Sequence, residues 1–142
     1  MKISKTLIHY LSNSSNLLES NIIITNADTI IYANTYNNLL KYENIPLSDD
    51  LRQLYNKWSN YNNYDEFLIL TDNFFKIHPN TNFLYKGQLF LPIFNTNKDT
   101  ISGLLIFFRD NRNFVKSSLK YAKTIKHFIE IFTADDYIDK NI

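Results

Sequence analysis

Three histidines, His9, His78 and His127, are the side chains best suited to metal or acid–base chemistry, because the chain contains no cysteine. Without cysteine there are no disulfides, no thiolate nucleophile and no cysteine-ligated metal. The histidine spacing places no two of them on one helix face or in one loop, so the sequence predicts no metal site. His9 and His127 read as surface or interface residues of the first and last helices. His78 closes the run Asp72-Asn73-Phe74-Phe75-Lys76-Ile77-His78, which mixes aromatic and polar groups. An imidazole, a lysine and aromatic walls suit an anionic or aromatic small molecule. The competing reading is an ordinary loop that carries an exposed histidine.

The carboxylates point away from catalysis. Asp49 and Asp50 are adjacent at a predicted helix start, where they serve capping better than acid–base work, which needs converging groups with split pKa values. Asp135-Asp136 lies in a polar tail. No nucleophile elbow, phosphate loop or dinucleotide fingerprint is present, and Gly87 and Gly103, the only glycines, are too far apart for a phosphate cradle. The expectation is a non-enzyme with no catalytic residues and no cofactor. Arg109, Arg112, Lys116, Lys120 and Lys123 form the only basic run. It reads as a solvated helix face, or as a surface for an acidic partner or nucleic acid. A net charge of +1 makes no general case for nucleic acid, which is not expected as a partner.

These groups must be carried by one domain, since 142 residues suffice for a real core but not for two ordinary domains. A hydrophobic share of 44% with 20% charged residues fits a folded globular chain. Eleven Phe and ten Tyr either enrich the core in rings or line a pocket or partner surface. The scarcity of glycine leaves turn positions to asparagine. The apolar run near the start is broken by His9, Ser12 and Asn13, so it makes no signal peptide. No run of about 18 apolar residues exists to span a membrane. A cytoplasmic location is the default expectation.

Ile3, Leu7, Leu11 and Leu18 predict a helix over 4–19, within an N-terminal helical segment 1–20, with a weak middle at Ser12–Asn16. Asn21–Asn26 and Thr29–Ala33 predict a hairpin turned by Ala27-Asp28. Asn34–Tyr42 is a connection. Ser48 is a candidate N-cap for a helix whose Leu51, Leu54, Tyr55 and Trp58 share one face. Tyr61–Tyr64 is a polar break. Phe67–Leu70 reads as a strand, and Phe74–His78 as another strand or an irregular lid. Phe83–Tyr85 and Gln88–Phe94 predict a hairpin turning at Lys86-Gly87. Asn95–Thr100 is a turn, and Ile101–Phe108 is a nearly continuous apolar strand expected at the centre of the sheet. A closing helix, Phe114–Phe132 within the segment 114–133, carries Val115, Leu119, Ala122, Ile125, Ile129 and Phe132 on one stripe. Phe114, Tyr121 and Phe128 widen that stripe beyond what one sheet face needs. Asp135–Ile142 is a polar tail.

This order resembles the GAF, PAS and roadblock group of sensor and scaffold domains. Ile24–Ala33 looks like their first hairpin. Ile45-Pro46-Leu47-Ser48-Asp49-Asp50-Leu51 is similar to the entry into the second helix of the GAF-like domain in the sporulation transcription regulator SpoVT. Leu91-Pro92-Ile93-Phe94 followed by Ser102-Gly103-Leu104-Leu105-Ile106-Phe107 is similar to the closing hairpin of GAF domains. The resemblance covers Asn21–Phe132. It includes neither an Asn-Lys-Phe-Asp-Glu run nor a chromophore cysteine. SpoVT-type DNA binding needs an N-terminal swapped-hairpin domain for which this chain has no room, so DNA binding is not carried over.

The resemblance implies an α+β class: a single GAF/PAS (profilin-like) domain over 1–142, with a central antiparallel sheet flanked by N- and C-terminal helices. It implies a regulatory domain that senses a small molecule and signals to a partner protein through its terminal helices. The alternative is a ligand-free, roadblock-like interaction or dimerisation module. The implied ligand site is Tyr32, Phe67, Phe75, Lys76, His78, Tyr85 and Leu105. The implied homodimer interface is Leu7, Leu11, Leu18, Tyr121, Ile125, Phe128 and Phe132.

Overall fold

A computed structural model describes residues 1–34, 44–60, 65–79, 84–95 and 99–134. In chain order the elements are α1 (Lys5–Leu18), β1 (Asn21–Thr25), β2 (Ile30–Asn34), α2 (Asp49–Ser59), β3 (Leu68–Asn73), β4 (Tyr85–Asn95), β5 (Thr100–Arg109) and α3 (Lys116–Phe132). The strands form one antiparallel sheet in the order β2-β1-β5-β4-β3. β5 is its middle strand, as the apolar run Ile101–Phe108 predicts.

Local chemistry explains the element ends. Ser4 Oγ accepts from Leu7 N at 3.2 Å and opens α1. The helix passes through the serine-rich stretch unbroken; within it Ser14 Oγ donates to Tyr10 O at 2.9 Å and Ser15 Oγ donates to Ser20 O. Asparagine takes the turn role expected of it. Asn26 Oδ1 accepts from Asp28 N and Thr29 N, both at 2.8 Å, and closes the β1–β2 hairpin.

Strand alternation sends side chains to two separate cores. On one face Ile22, Ile24, Leu89, Leu91, Ile93, Leu105 and Phe107 meet Leu7 and Leu11 of α1 and Ala122, Ile125 and Ile129 of α3. On the other, Ile23, Ile30, Phe90, Leu104, Ile106 and Phe108 meet Leu51, Leu54 and Trp58 of α2. Arg109 ties α1 to the approach of α3. Its Nη2 donates to Leu18 O at 2.7 Å and its Nη1 to Asn113 O at 3.1 Å, while its guanidinium lies 4.1 Å from the Phe114 ring. Burial, reinforced by the charge of Arg112, pulls Arg109 below the usual guanidinium pKa, and Glu19 opposes the shift.

Two expectations are corrected. There is no turn at Lys86-Gly87, because β4 runs through it without a break, and Gly87 pairs with Thr71 and Arg109. The glycine serves close approach instead: a Cβ there would lie 2.5 Å from Arg112 O. The closing helix also begins later than expected. Phe114 precedes it, packed edge-on to Phe107, and Val115 is an N-cap residue that is mostly exposed rather than part of the buried stripe. Of the two readings of Phe74–His78, the irregular one holds. The expected connection after Asn34, the break at 61–64, the start of the 83–85 strand, part of the 95–100 turn and the tail at 135–142 lie outside the described residues.

Candidate functional site

The α2 face carries a short strap, Asn73–His78, closed over the sheet by polar clips. Asn73 Oδ1 accepts from Phe75 N at 2.9 Å and bends the chain as it leaves β3. The Lys76 backbone is held twice at the start of α2: its N donates to Asp50 Oδ2 at 2.6 Å, and Ser48 Oγ donates to its O. Ser48 is also the N-cap, accepting from Leu51 N at 3.3 Å. Beneath the strap Ile77 is fully buried, and the Phe75 ring meets Phe90 at 4.8 Å.

Gln88 of β4 stands under this strap with no solvent exposure. Its Nε2 donates to Phe75 O at 3.1 Å, and its Oε1 has no hydrogen-bond partner among the described residues. An orphaned buried acceptor costs about 1–3 kcal/mol. A donor that reaches it recovers part of that cost. The cross-strand neighbour of Gln88 on β5 is Phe108, whose ring is set edge-on to Tyr85 at 4.7 Å.

The seven expected ligand residues do not share this place. Phe75 and Tyr85 belong to the α2 face, with Lys76 exposed and His78 half-buried in the strap. Tyr32 and Leu105 lie on the other side of the sheet, in the core beneath α1 and α3. Phe67 precedes β3 and lies under Lys123 of α3, 5.7 Å from Nζ to ring centroid. The grouping is therefore corrected: Leu105 alternates with Leu104 and Ile106, and the period of two sends it to the opposite face. The three histidines sit on separate elements, and among the described residues no three metal-binding side chains converge.

The face formed by α1 and α3 has different chemistry. Lys126 Nζ and Glu130 Oε2 form a nearly buried ion pair at 2.6 Å, one helical turn apart. The same carboxylate oxygen accepts from Phe94 N at 2.9 Å. That amide lies at the Ile93/Phe94 register shift, where the β4–β5 ladder is irregular. The ammonium also lies 5.2 Å from the Phe94 ring, and His127 Nδ1 is 3.8 Å from Glu130 Oε1. An open groove of about 610 Å³ runs beside the pair, lined by Asp65, Lys123, Thr124, Lys126, His127, Phe128 and Glu130.

Outside this pair, α1 and α3 expose a ridge of rings. Tyr10 meets Phe128 at 4.9 Å, and Phe128 stacks on Phe132 at 5.8 Å. Tyr121 and Phe128 are 39% and 38% exposed, which leaves both available to a partner. The expected dimer set needs correction, because Leu7, Leu11 and Ile125 are wholly inside the protein's own core and Leu18 is half-buried against it. Tyr121, Phe128 and the edge of Phe132 remain on the surface, joined by Tyr10, which sequence spacing did not single out.

Sequence reasoning missed Gln88 and the Lys126–Glu130 pair. A glutamine within an apolar strand, in Tyr85–Phe94, is an anomaly that signals burial. A Lys–Glu pair at i,i+4 reads as solvated, and only its position beside the buried Ile125 and Ile129 hints otherwise. Among the described residues, no helix is long and apolar enough to cross a membrane.

No family model matches the chain, and no curated protein matches it. Solved structures do resemble it. The cyanobacteriochrome receptor PixJ superposes with a TM-score of 0.66 at 14% identity, over 93% of this chain and 95% of that one. The blue-light-absorbing form of the Thermosynechococcus elongatus PixJ GAF domain gives 0.60 at 12%, over 91% and 90%. The GAF domain of a two-component sensor histidine kinase from Bacillus halodurans gives 0.57 at 12%, over 92% and 93%. The fold is GAF-like: an α+β arrangement of three helices about a five-stranded antiparallel sheet, among the described residues.

Proposed function

We propose that this protein is a regulatory sensor module. A small molecule binds on the α2 face beneath the Asn73–His78 strap, and its presence is read by a partner protein at the terminal helices α1 and α3. The carrying observation is Gln88, a fully buried side chain whose carbonyl oxygen has no partner among the described residues, under a segment held by polar clips. The fold adds support, because the similar structures include a photoreceptor and the GAF domain of a sensor kinase. The likeness to the SpoVT regulator, with a role in sporulation or transcription, rests on the sequence segments around Ile45–Leu51.

The sheet supplies a physical connection between the two faces. Along β4, Gln88 and Phe90 face the strap, while Leu89, Leu91 and Ile93 pack under α1 and α3. At the end of the strand the Phe94 amide is bonded to Glu130 of α3. A ligand that prefers the opened strap biases β4, and β4 is fastened to α3. No step of this reading needs a catalytic group, and we assign no reaction to the protein.

Native mass spectrometry of protein purified without added ligand tests the reading. Wild type is expected to carry a co-purifying mass released by denaturation, and Gln88→Leu to lose it. Native masses that match each protein's own bare chain, in wild type as in the variant, count against the sensor site.

A second reading, the ligand-free roadblock-like interaction module, has its own supporting observation. Both faces of the sheet are filled by the protein's own side chains, and two exposed aromatic groups, Tyr121 and Phe128, lie on α3. It predicts bare masses in that experiment and partner binding unaffected by changes in the strap.

A further inference from the structure

We infer that the α1–α3 face docks an acidic amphipathic helix from another protein, rather than a second copy of this chain. The inference rests on the proposed role of α1 and α3 as the output surface, and it adds the chemistry of the partner.

Charge segregation is the first observation. The chain as a whole is nearly neutral, with 15 Lys and Arg against 14 Asp and Glu. The terminal helices are not. α1 contains no acid, and the only acid within α3 is Glu130, which is buried against Lys126 and so presents no free carboxylate. Glu19, just beyond α1, is within 3.5 Å of Arg112. Lys5, Lys116 and Lys120 are exposed, and Lys123 is partly so. Among the described residues, Asp65 is the one acid outside the helices that lines the groove beside Lys123 and His127, whereas Asp28, Asp49, Asp50 and Asp72 lie on other elements or turns. A second copy would set this basic face against itself, and like charges placed together suppress pairing.

The aromatic ridge is the second observation. At 3.6 residues per turn, Lys116, Lys120 and His127 form one ridge of α3, and Tyr121, Phe128 and Phe132 form another roughly a third of the way round. The exposed Ile131 lies between them. A partner helix with an apolar stripe flanked by carboxylates matches both ridges at once. Packed rings with an apolar edge favour such a helix over a nucleic-acid backbone, which would use the lysines and leave Phe128 and Ile131 uncovered. The groove beside Phe128 and His127 gives the partner's larger side chains a seat.

Three synthetic helical peptides test the inference on the full chain: leucines at the heptad a and d positions, with glutamate, glutamine or lysine elsewhere. Fluorescence anisotropy is read at low and physiological salt. The glutamate peptide is expected to bind at least about tenfold more tightly than the glutamine peptide, with the advantage shrinking as salt rises. The double variant Lys116→Glu/Lys120→Glu should transfer the preference to the lysine peptide, a reversal that a merely unfolded variant would not produce. Phe128→Ser should weaken binding of the glutamate peptide. Equal affinity for the glutamate and glutamine peptides overturns the inference. So does a single-stranded oligonucleotide that binds wild type more tightly than any peptide, or sedimentation that finds a stable homodimer dissolved by Phe128→Ser. The two proposals fail separately. Glutamate-peptide binding that ignores opening of the strap by Ser48→Ala keeps this inference and sinks the sensor reading. A ligand-bearing wild type with no peptide preference does the reverse.

Discussion

A polar cluster on each face of the sheet shows a different answer to burial, although Arg109 Nε, at the junction of α1 and the approach to α3, also has no hydrogen-bond partner among the described residues. Beneath α3, Lys126, Glu130 and the Phe94 amide satisfy one another. Beneath the strap, Gln88 bonds Phe75 O and leaves its carbonyl oxygen unmet among the described residues. The first arrangement locks a helix to a strand. The second leaves a cost that an arriving donor can relieve. Rigidity on one face and an unmet acceptor on the other are what a module needs if it is to bind on one side and be read on the other.

The largest effect expected from breaking this contrast is at Glu130. Glu130→Leu strands a buried ammonium and a buried amide together, and should cost about 3–5 kcal/mol in chemical denaturation. Lys126→Met leaves Glu130 with the Phe94 amide and should cost less, so the order of the two variants tests which group the carboxylate serves. Next comes Gly87→Ala. Its Cβ would lie 2.5 Å from Arg112 O, so the Arg112–Phe114 segment must shift, at about 1–3 kcal/mol in thermal unfolding.

Ser48→Ala removes both an N-cap and a clip on Lys76. A loss of about 1 kcal/mol follows from the cap, with faster amide exchange at Lys76. Gln88→Leu should change stability by less than about 1 kcal/mol, because losing the bond to Phe75 O is offset by removing an orphaned acceptor. A large loss would mean that Gln88 is structural rather than held ready.

The smallest effect is alkaline. Burial, with Asp28 adding to it, raises the Tyr55 pKa above its ordinary value, and the hydroxyl donates to Ile101 O at 3.3 Å. The folded state therefore holds this proton more tightly than the unfolded chain. The stabilisation is complete below the unfolded pKa of about 10 and is lost as pH rises through the folded value. Tyr55→Phe should lessen the loss of stability above that pH in a denaturation series.

The helices and strands with strong periodicity were legible in the sequence. Leu7 and Leu11, Leu51 with Leu54 and Trp58, and the run ending at Phe108 each carry the spacing of the element they form. The strand across Gly87 was not legible, because a glycine used for close approach looks the same in sequence as one used for a turn. Ser48 was legible as a cap but not as the clip on Lys76, since that contact joins residues 28 apart in the chain. The sheet face of Leu105 could be told only once the register was known, because a shift of one residue exchanges the faces.

Coupling of the two faces through β4 is read by hydrogen–deuterium exchange on wild type and Ser48→Ala. Opening the strap should raise exchange at Lys76 and also alter it at Phe94 and along the Lys126–Phe132 half of α3, through β4. Changes confined to the strap and the first turn of α2, with Phe94 and α3 unmoved, would mean that the two faces are not coupled.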